Sequence, residues 1–229
     1  MKFTAEKSQI VDSLQNAAAV AERRQTIPIL ANLRLKVISG KLEVAATDLE
    51  IQVKAYCELL SVEEEGETTV SARKMSELCR SLPDSENVNF ELKDGKLTVS
   101  SKNFHGDFAT ISADDFPELE VNEDQTNTTV MSGALKRILT KTSFSMASQD
   151  VRYYLNGLLL EHSSGELKGV ATDGHRLALS VSETKGGGPE MRNILPRKAA
   201  LELAKLLSPD ETPIEMLVGP TYIGIKTDN

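Results

Sequence analysis

From Ser8 to Arg24 the apolar residues Ile10, Val11, Leu14, Ala17, Ala18 and Ala21 recur at three- and four-residue spacing. That spacing puts them on one face of a helix. Ser132 to Phe144 repeats the pattern with Leu135, Ile138 and Leu139. Second helices are predicted to begin near Arg73, with Met75, Leu78, Cys79 and Leu82 on one face, and near Arg197, with Ala200, Leu201, Ala204 and Leu207. Between them the period changes to two. Leu33-Arg34-Leu35-Lys36-Val37 alternates and leads through Ser39-Gly40 into Leu42-Glu43-Val44, a hairpin signal. Phe90-Glu91-Leu92, Asp94-Gly95 and Leu97-Thr98-Val99 make another. The predicted order in each half is strand, helix, three strands, helix, three strands. This is an α+β fold, with helices covering one face of antiparallel sheet.

The two halves are copies. Ile29-Leu30-Ala31-Asn32-Leu33-Arg34-Leu35 matches Tyr153-Tyr154-Leu155-Asn156-Gly157-Leu158-Leu159, and Val44-Ala45-Ala46-Thr47-Asp48 matches Gly169-Val170-Ala171-Thr172-Asp173. Val70-Ser71-Ala72-Arg73-Lys74 matches Leu195-Pro196-Arg197-Lys198. All three lie in the same order at an offset of 124 or 125 residues, which is a duplicated domain rather than a solenoid repeat. The first copy runs to about Leu119 and the second starts near Thr126, so the expected domains are 1–122 and 123–229. Shifting Asn229 back by the offset lands near His105, before the strand-like Gly106 to Ile111. The second copy is therefore expected to lack its last strand, and the chain to be part of a longer protein.

Composition narrows the function. With 40% hydrophobic residues the chain can build real cores. Two cysteines, Cys57 and Cys79, supply neither a disulfide framework nor a CxxC metal site. A start without an apolar h-region, and no apolar run near the ~18 residues of a span, predict a soluble cytoplasmic protein without membrane contact. Net charge is −8, which argues against nucleic acid until its distribution is read. Residues 72–82, 132–142 and 197–207 together carry +7, leaving −15 on the rest. Basic helices on an acidic molecule make a plausible track for phosphates, although solvated helix faces often carry Lys and Arg. Arg73-Lys74 and Arg197-Lys198 open equivalent helices, which favours the track. Ser148 to Tyr154 adds a polar segment with paired tyrosines, of which strand alternation would expose one.

Catalytic candidates are few. Asp173 and His175 in Thr172-Asp173-Gly174-His175-Arg176-Leu177 resemble half of a triad, which needs a nucleophile or metal to work. His105 and His162 lack ligand spacing to His175. The first copy keeps Thr47-Asp48 but has no His, so a structural Thr-Asp is favoured over an enzyme. The glycine run Lys185 to Pro189 has no GxxxxGK[ST] context and reads as a loop. An adaptor of repeated domains that binds only peptides is a further alternative.

Several segments resemble one family: Met1-Lys2-Phe3-Thr4, Thr26-Ile27-Pro28-Ile29-Leu30, Ala46-Thr47-Asp48-Leu49-Glu50, Asp115-Phe116-Pro117, Phe144-Ser145-Met146-Ala147, Asp150-Val151-Arg152-Tyr153-Tyr154-Leu155-Asn156-Gly157 and Ala171 to Leu177. They are similar to the beta subunit of bacterial DNA polymerase III, the sliding clamp. The resemblance implies three DNA-clamp domains per full chain, the third absent from this one, with two chains closing head-to-tail into a ring lined by helices. It implies sequence-independent contact with double-stranded DNA at Arg24, Arg73, Gln149, Tyr153, Tyr154 and Lys198. It implies a partner-peptide pocket at Leu155, Thr172, Gly174, His175, Arg176 and Leu177, and a dimer interface at Gly106 and Phe108. Partners would be the polymerase III alpha subunit, the clamp loader and other clamp-binding proteins, through short peptide motifs. Neither catalytic residues, a cofactor nor a metal is implied.

Overall fold

After the first strand, β1 (Lys2–Glu6), the apolar spacing lengthens from two to three or four and the chain turns into helix α1 (Lys7–Ala18). The computed structural model describes residues 1–21, 27–83, 86–119, 125–184 and 188–227. Two units emerge, Met1–Leu119 and Glu120–Asn229, each with its own core.

The first unit continues with β2 (Asn32–Ile38), β3 (Lys41–Thr47), β4 (Gln52–Glu58), β5 (Ser61–Glu64), β6 (Gly66–Ser71), α2 (Ala72–Ser81), β7 (Asn87–Lys93), β8 (Lys96–Ser100) and β9 (His105–Ile111). The sheet order is β4-β3-β2-β6-β9-β8-β7-β1-β5, all antiparallel. Among the described residues its two halves are joined where β6 pairs with the end of β9, Thr69 with Ile111 and Val70 with Thr110. Helices α1 and α2 cover one face. Ile10, Leu14, Met75 and Cys79 point into a core where Phe3 stacks on Phe90 at 4.7 Å.

The second unit comprises β10 (Thr126–Met131), α3 (Ser132–Thr142), β11 (Gly157–Ser163), β12 (Glu166–Thr172), β13 (Leu177–Glu183), β14 (Met191–Pro196), α4 (Arg197–Leu206), β15 (Pro213–Val218) and β16 (Ile223–Lys226). Its sheets run β13-β12-β11-β14 and β10-β15-β16. These orders repeat β4-β3-β2-β6 and β1-β7-β8 of the first unit, so the duplication read from short motifs is a duplication of topology. Among the described residues β9 has no counterpart in the second unit. Helix α3 lies close on β12: a side chain at Gly169 would collide with Ile138.

The structure corrects three expectations. Among the described residues four strands, not three, separate the helices in the second unit, and five in the first. The strands missed include β6 and β14, which lead into the second helices. In β6 Thr68, Thr69 and Val70 are all buried, so no polar-apolar alternation marks it. Helix α1 ends at Ala18, well before Arg24, and residues 22–26 lie outside those described. The alanine run there offers no contrast from which to read a stop. The tyrosine segment is a turn of 3-10 helix (Tyr153–Leu155), not a strand. The expected hairpins do form. Ser39 and Gly40 have φ of 51° and 79°, and Asp94 and Gly95 50° and 71°, the left-handed pair that a type I′ turn requires.

Candidate nucleic-acid interface

Helix α2 is capped by the Ser71 hydroxyl, which accepts the Lys74 amide. Because Met75, Leu78 and Cys79 point inward, Arg73, Lys74, Glu77 and Arg80 form the exposed face. Arg73 pairs with Glu77 at 2.9 Å, a contact between two exposed groups that water screens and that a phosphate can displace. In the second unit the basic residues divide. Lys141 is exposed. Lys136 Nζ instead donates to the Leu207 carbonyl at 2.7 Å, completing the end of α4. Arg197 is turned inward, donating from Nη1 to the carbonyls of Met146 (3.1 Å) and Ser143 (3.4 Å). The equivalence of Arg73 and Arg197 is therefore one of position and not of exposure, and the helical charge is only partly available to a ligand. Lys198, next in the chain, is half-buried. Arg24 lies outside the described residues.

Residues 147–156 form a tightly cross-tied loop. The Asn156 side chain accepts the Asp150 amide at 2.9 Å and donates to its carbonyl at 2.8 Å. The Asp150 carboxylate accepts the Arg152 amide (2.8 Å), Nε (3.0 Å) and Nη2 (2.9 Å). These bonds hold its pKa down to about 2. Gln149 is exposed at a left-handed φ of 60°. Tyr153 and Tyr154 meet edge to face at 5.9 Å, and both are exposed, at 83% and 51%. A 3-10 turn does not alternate sides as a strand does, so Leu155 takes the single buried position.

The Thr172–Leu177 corner is built by its own first two residues. The Thr172 hydroxyl donates to the Arg176 carbonyl at 2.7 Å and accepts the Gly174 amide at 3.1 Å. Asp173 Oδ1 accepts the amides of His175 and Arg176, both at 3.0 Å, and Oδ2 accepts Arg176 Nε at 2.9 Å. These amide bonds, and the Arg176 guanidinium after them, lower the Asp173 pKa. The first unit repeats the corner. Thr47 donates to Ile51 and accepts from Leu49, while Asp48 accepts from Glu50 and Ile51. The carboxylate of Asp173 thus serves its own turn. His162 is buried, bonded to the Pro189 carbonyl and the Thr184 hydroxyl. The Asp-His pair that suggested an enzyme is a turn followed by an exposed histidine.

Around this corner Leu177 is 65% exposed while Leu155 is buried. Arg176 lies over the Phe144 ring at 5.6 Å. Gly174 has φ 89°, and a Cβ there would sit 3.3 Å from Arg152 Nη2. Asp150, Arg152 and Phe144 were not singled out from the sequence. Their signal is spatial, apart from the i, i+2 spacing of Asp150 and Arg152. On β9, Phe108 packs against the first core, and the Phe104 ring occupies the space a Gly106 side chain would need. His105 to Ala109 pair with β8 alone, leaving their other edge open among the described residues.

Two family models match this chain. One describes the DNA polymerase III beta subunit, N-terminal domain, over residues 1–120, and the other its central domain over residues 129–229. The chain belongs to the DNA polymerase III beta-subunit family. It is 40% identical over its whole length to the beta sliding clamp of Vibrio cholerae, of which it covers 63%. It is 38% identical over 99% of its length to that of Pseudomonas aeruginosa, of which it covers 62%. The chain thus spans less than two thirds of the curated relatives it matches. A crystal structure of the Pseudomonas aeruginosa DNA polymerase sliding clamp with ligand superposes with a TM-score of 0.94 at 38% identity, over 100% of this chain and 62% of that one. The Caulobacter crescentus sliding clamp gives 0.88 at 31%, over 96% of this chain and 61% of that one. Beta-subunit membership and the α+β clamp fold agree with the topology described above. Among the described residues of this family member, no helix is long and apolar enough to cross a membrane.

Proposed function

We propose that the full-length protein is the processivity factor of a DNA polymerase: a sliding clamp without chemistry of its own. Two such chains, joined head-to-tail, enclose duplex DNA and tether the polymerase to it. The observation that carries this reading is a twice-repeated clamp fold whose helices present Arg73, Lys74, Arg80 and Lys141 to solvent on an otherwise acidic chain. Lys and Arg placed as separate points neutralise phosphates without reading bases, which lets a ring slide. Enclosure does not need tight binding. It raises the effective concentration of the tethered polymerase at the primer end.

In this reading Arg24, Arg73, Gln149, Tyr153, Tyr154 and Lys198 face DNA. Leu155, Thr172, Gly174, His175, Arg176 and Leu177 form one wall of a pocket for short peptides of the polymerase alpha subunit, the clamp loader and other partners. Gly106 and Phe108 lie at the dimer interface, where the open edge of β9 offers backbone donors and acceptors to a neighbouring strand. The protein works in the cytoplasm and needs no cofactor. The test is retention of the full-length protein, loaded by its clamp loader, on circular and on linearised DNA. Retention on circles and loss from linear ends is expected. Equal loss from both would refute enclosure.

A further inference from the structure

Gly106 on β9 stands opposite Val99 on β8 and offers the open edge no side chain of its own. A neighbour fills the place. A Cβ built on Gly106 would lie 2.7 Å from Cζ of Phe104 and 3.1 Å from its Cε1, so the ring lies along the strand over the Gly106 backbone. The chain beneath the ring is held: the Ser101 amide donates to the Phe104 carbonyl at 2.9 Å, closing the turn from β8. Residues 104, 106 and 108 share one side of an extended chain. Phe104 and Phe108 are both half-buried, each packed against the first core without being covered by it. At about 3.3 Å per residue their Cα atoms stand roughly 13 Å apart, too far for upright rings to form one patch. The leaning Phe104 ring shortens that gap and makes a single apolar strip. The opposite side is polar: His105 and Asp107 are exposed, and Asp107 accepts the Thr98 hydroxyl at 2.7 Å.

We propose that Phe104 is the apolar anchor of this edge and sets which strand the edge accepts: its ring stands in for a side chain at 106 against the third domain of a second copy of the chain. This rests on the dimer reading above and names the residue that gives the interface its specificity. An open strand edge is blind to sequence, because any extended backbone can supply its hydrogen bonds. Register must come from side chains, since a slip by one residue exchanges the two faces. Here the faces differ, with the Phe104–Phe108 strip on one and His105 with Asp107 on the other. An incoming strand with apolar residues on the strip side covers both rings and leaves the Asp107 carboxylate in water, whereas the slipped register would bury that carboxylate. Aromatic rings are enriched at the buried centre of interfaces, where a few residues carry most of the energy. Glycine at 106 is part of the device, because a side chain there would displace the ring.

The experiment is dimer dissociation of the full-length protein, followed by sedimentation velocity over a dilution series, with thermal unfolding of each variant alongside. Phe104→Ala should raise the dissociation constant at least about tenfold, the effect of one strong interface residue. Gly106→Leu should also weaken the dimer, because the new side chain displaces the ring. Phe104→Ala combined with Gly106→Leu should recover most of the affinity, since an apolar group again covers position 106. A folded double variant that recovers nothing would overturn the exchange of roles. A residue that only supports the fold would lower the thermal midpoint and leave the dissociation constant where it was. Should Phe104→Ala not fold, Gly106→Leu carries the test, and an undiminished dimer would overturn the assignment. Phe108→Ala is the control for the interface itself. If it weakens the dimer and Phe104→Ala does not, the assignment of Phe104 fails and the interface stands. If neither does, or the wild type is a monomer at micromolar concentration, both fail.

Discussion

Arg34 on β2 and Glu43 on β3 are ion-paired at 2.6 Å with side chains only 7% and 13% exposed. Glu118 closes on the same guanidinium, Lys54 reaches Glu118 at 3.3 Å, and Phe116 lies 5.3 Å beneath Arg34. This cluster fastens residues 116–118 to the first sheet. Arg34→Ala would strand Glu43 in a desolvated site, and an abandoned buried charge costs about 3–5 kcal/mol. Urea unfolding should show that loss, and Arg34→Met with Glu43→Leu should recover most of it. A loss below about 1 kcal/mol for the single change would mean water reaches the pair.

The duplicated Thr-Asp corner should behave as structure in both units. Thr47→Val and Thr172→Val each remove a hydroxyl that both donates and accepts, so each should cost about 1–2 kcal/mol. His175→Ala, an exposed position, should fall within about 0.5 kcal/mol of wild type. A large loss at His175 with none at Thr172 would reverse these roles.

Acid titration reports the Arg152 chelate directly. Asp150 binds its proton more weakly in the folded chain, at about 2, than its ordinary 3.8. As pH falls the unfolded chain therefore takes up that proton first. The stabilisation is complete above about pH 4 and is lost between there and pH 2. Carbon-13 NMR of the Asp150 carboxyl should give the depressed value, and Arg152→Met should return it toward 3.8. A midpoint near 4 in the unaltered chain would show the chelate to be absent in solution.

DNA contacts should be generic. In the full-length protein, Arg73→Ala or Lys198→Ala should weaken binding about equally on every duplex sequence and lower the salt slope by about one unit. Glu77→Gln, which frees Arg73 from its ion pair, should strengthen binding instead. A sequence preference that disappears with one of these changes would indicate base readout, contrary to sliding.

Leu177 offers the cleanest separation of the two surfaces. It is 65% exposed, so Leu177→Asp should cost the fold about 0.5 kcal/mol or less. Apolar anchors supply most of the affinity of short peptides, so peptide binding by the full-length variant should be abolished. Fluorescence anisotropy with a labelled alpha-subunit peptide measures this, and circular-DNA retention serves as the control. Undiminished affinity would place the peptide elsewhere.

Periodicity and turn chemistry were enough to show the helices, two hairpins and the repeat, because each depends on residues within a few positions of one another. The Thr-Asp corner was legible for the same reason: all its hydrogen bonds fall within five residues. What the sequence could not show is which way a polar side chain turns when its partners are distant. Asn32 and Asn156 match in the repeat. Yet Asn32 donates to Thr69 across the sheet, whereas Asn156 grips Asp150 in its own loop. Arg73 and Arg197 open equivalent helices, and one faces solvent while the other serves two carbonyls of the turn after α3. Both tyrosines are exposed because Leu155, packed by tertiary contacts, claims the inward position. Local sequence determined the elements and their duplication. Only the tertiary structure decided which charges remain available and that Arg152 meets Gly174, since a buried polar group takes the partner that packing brings near, whatever its place in the chain.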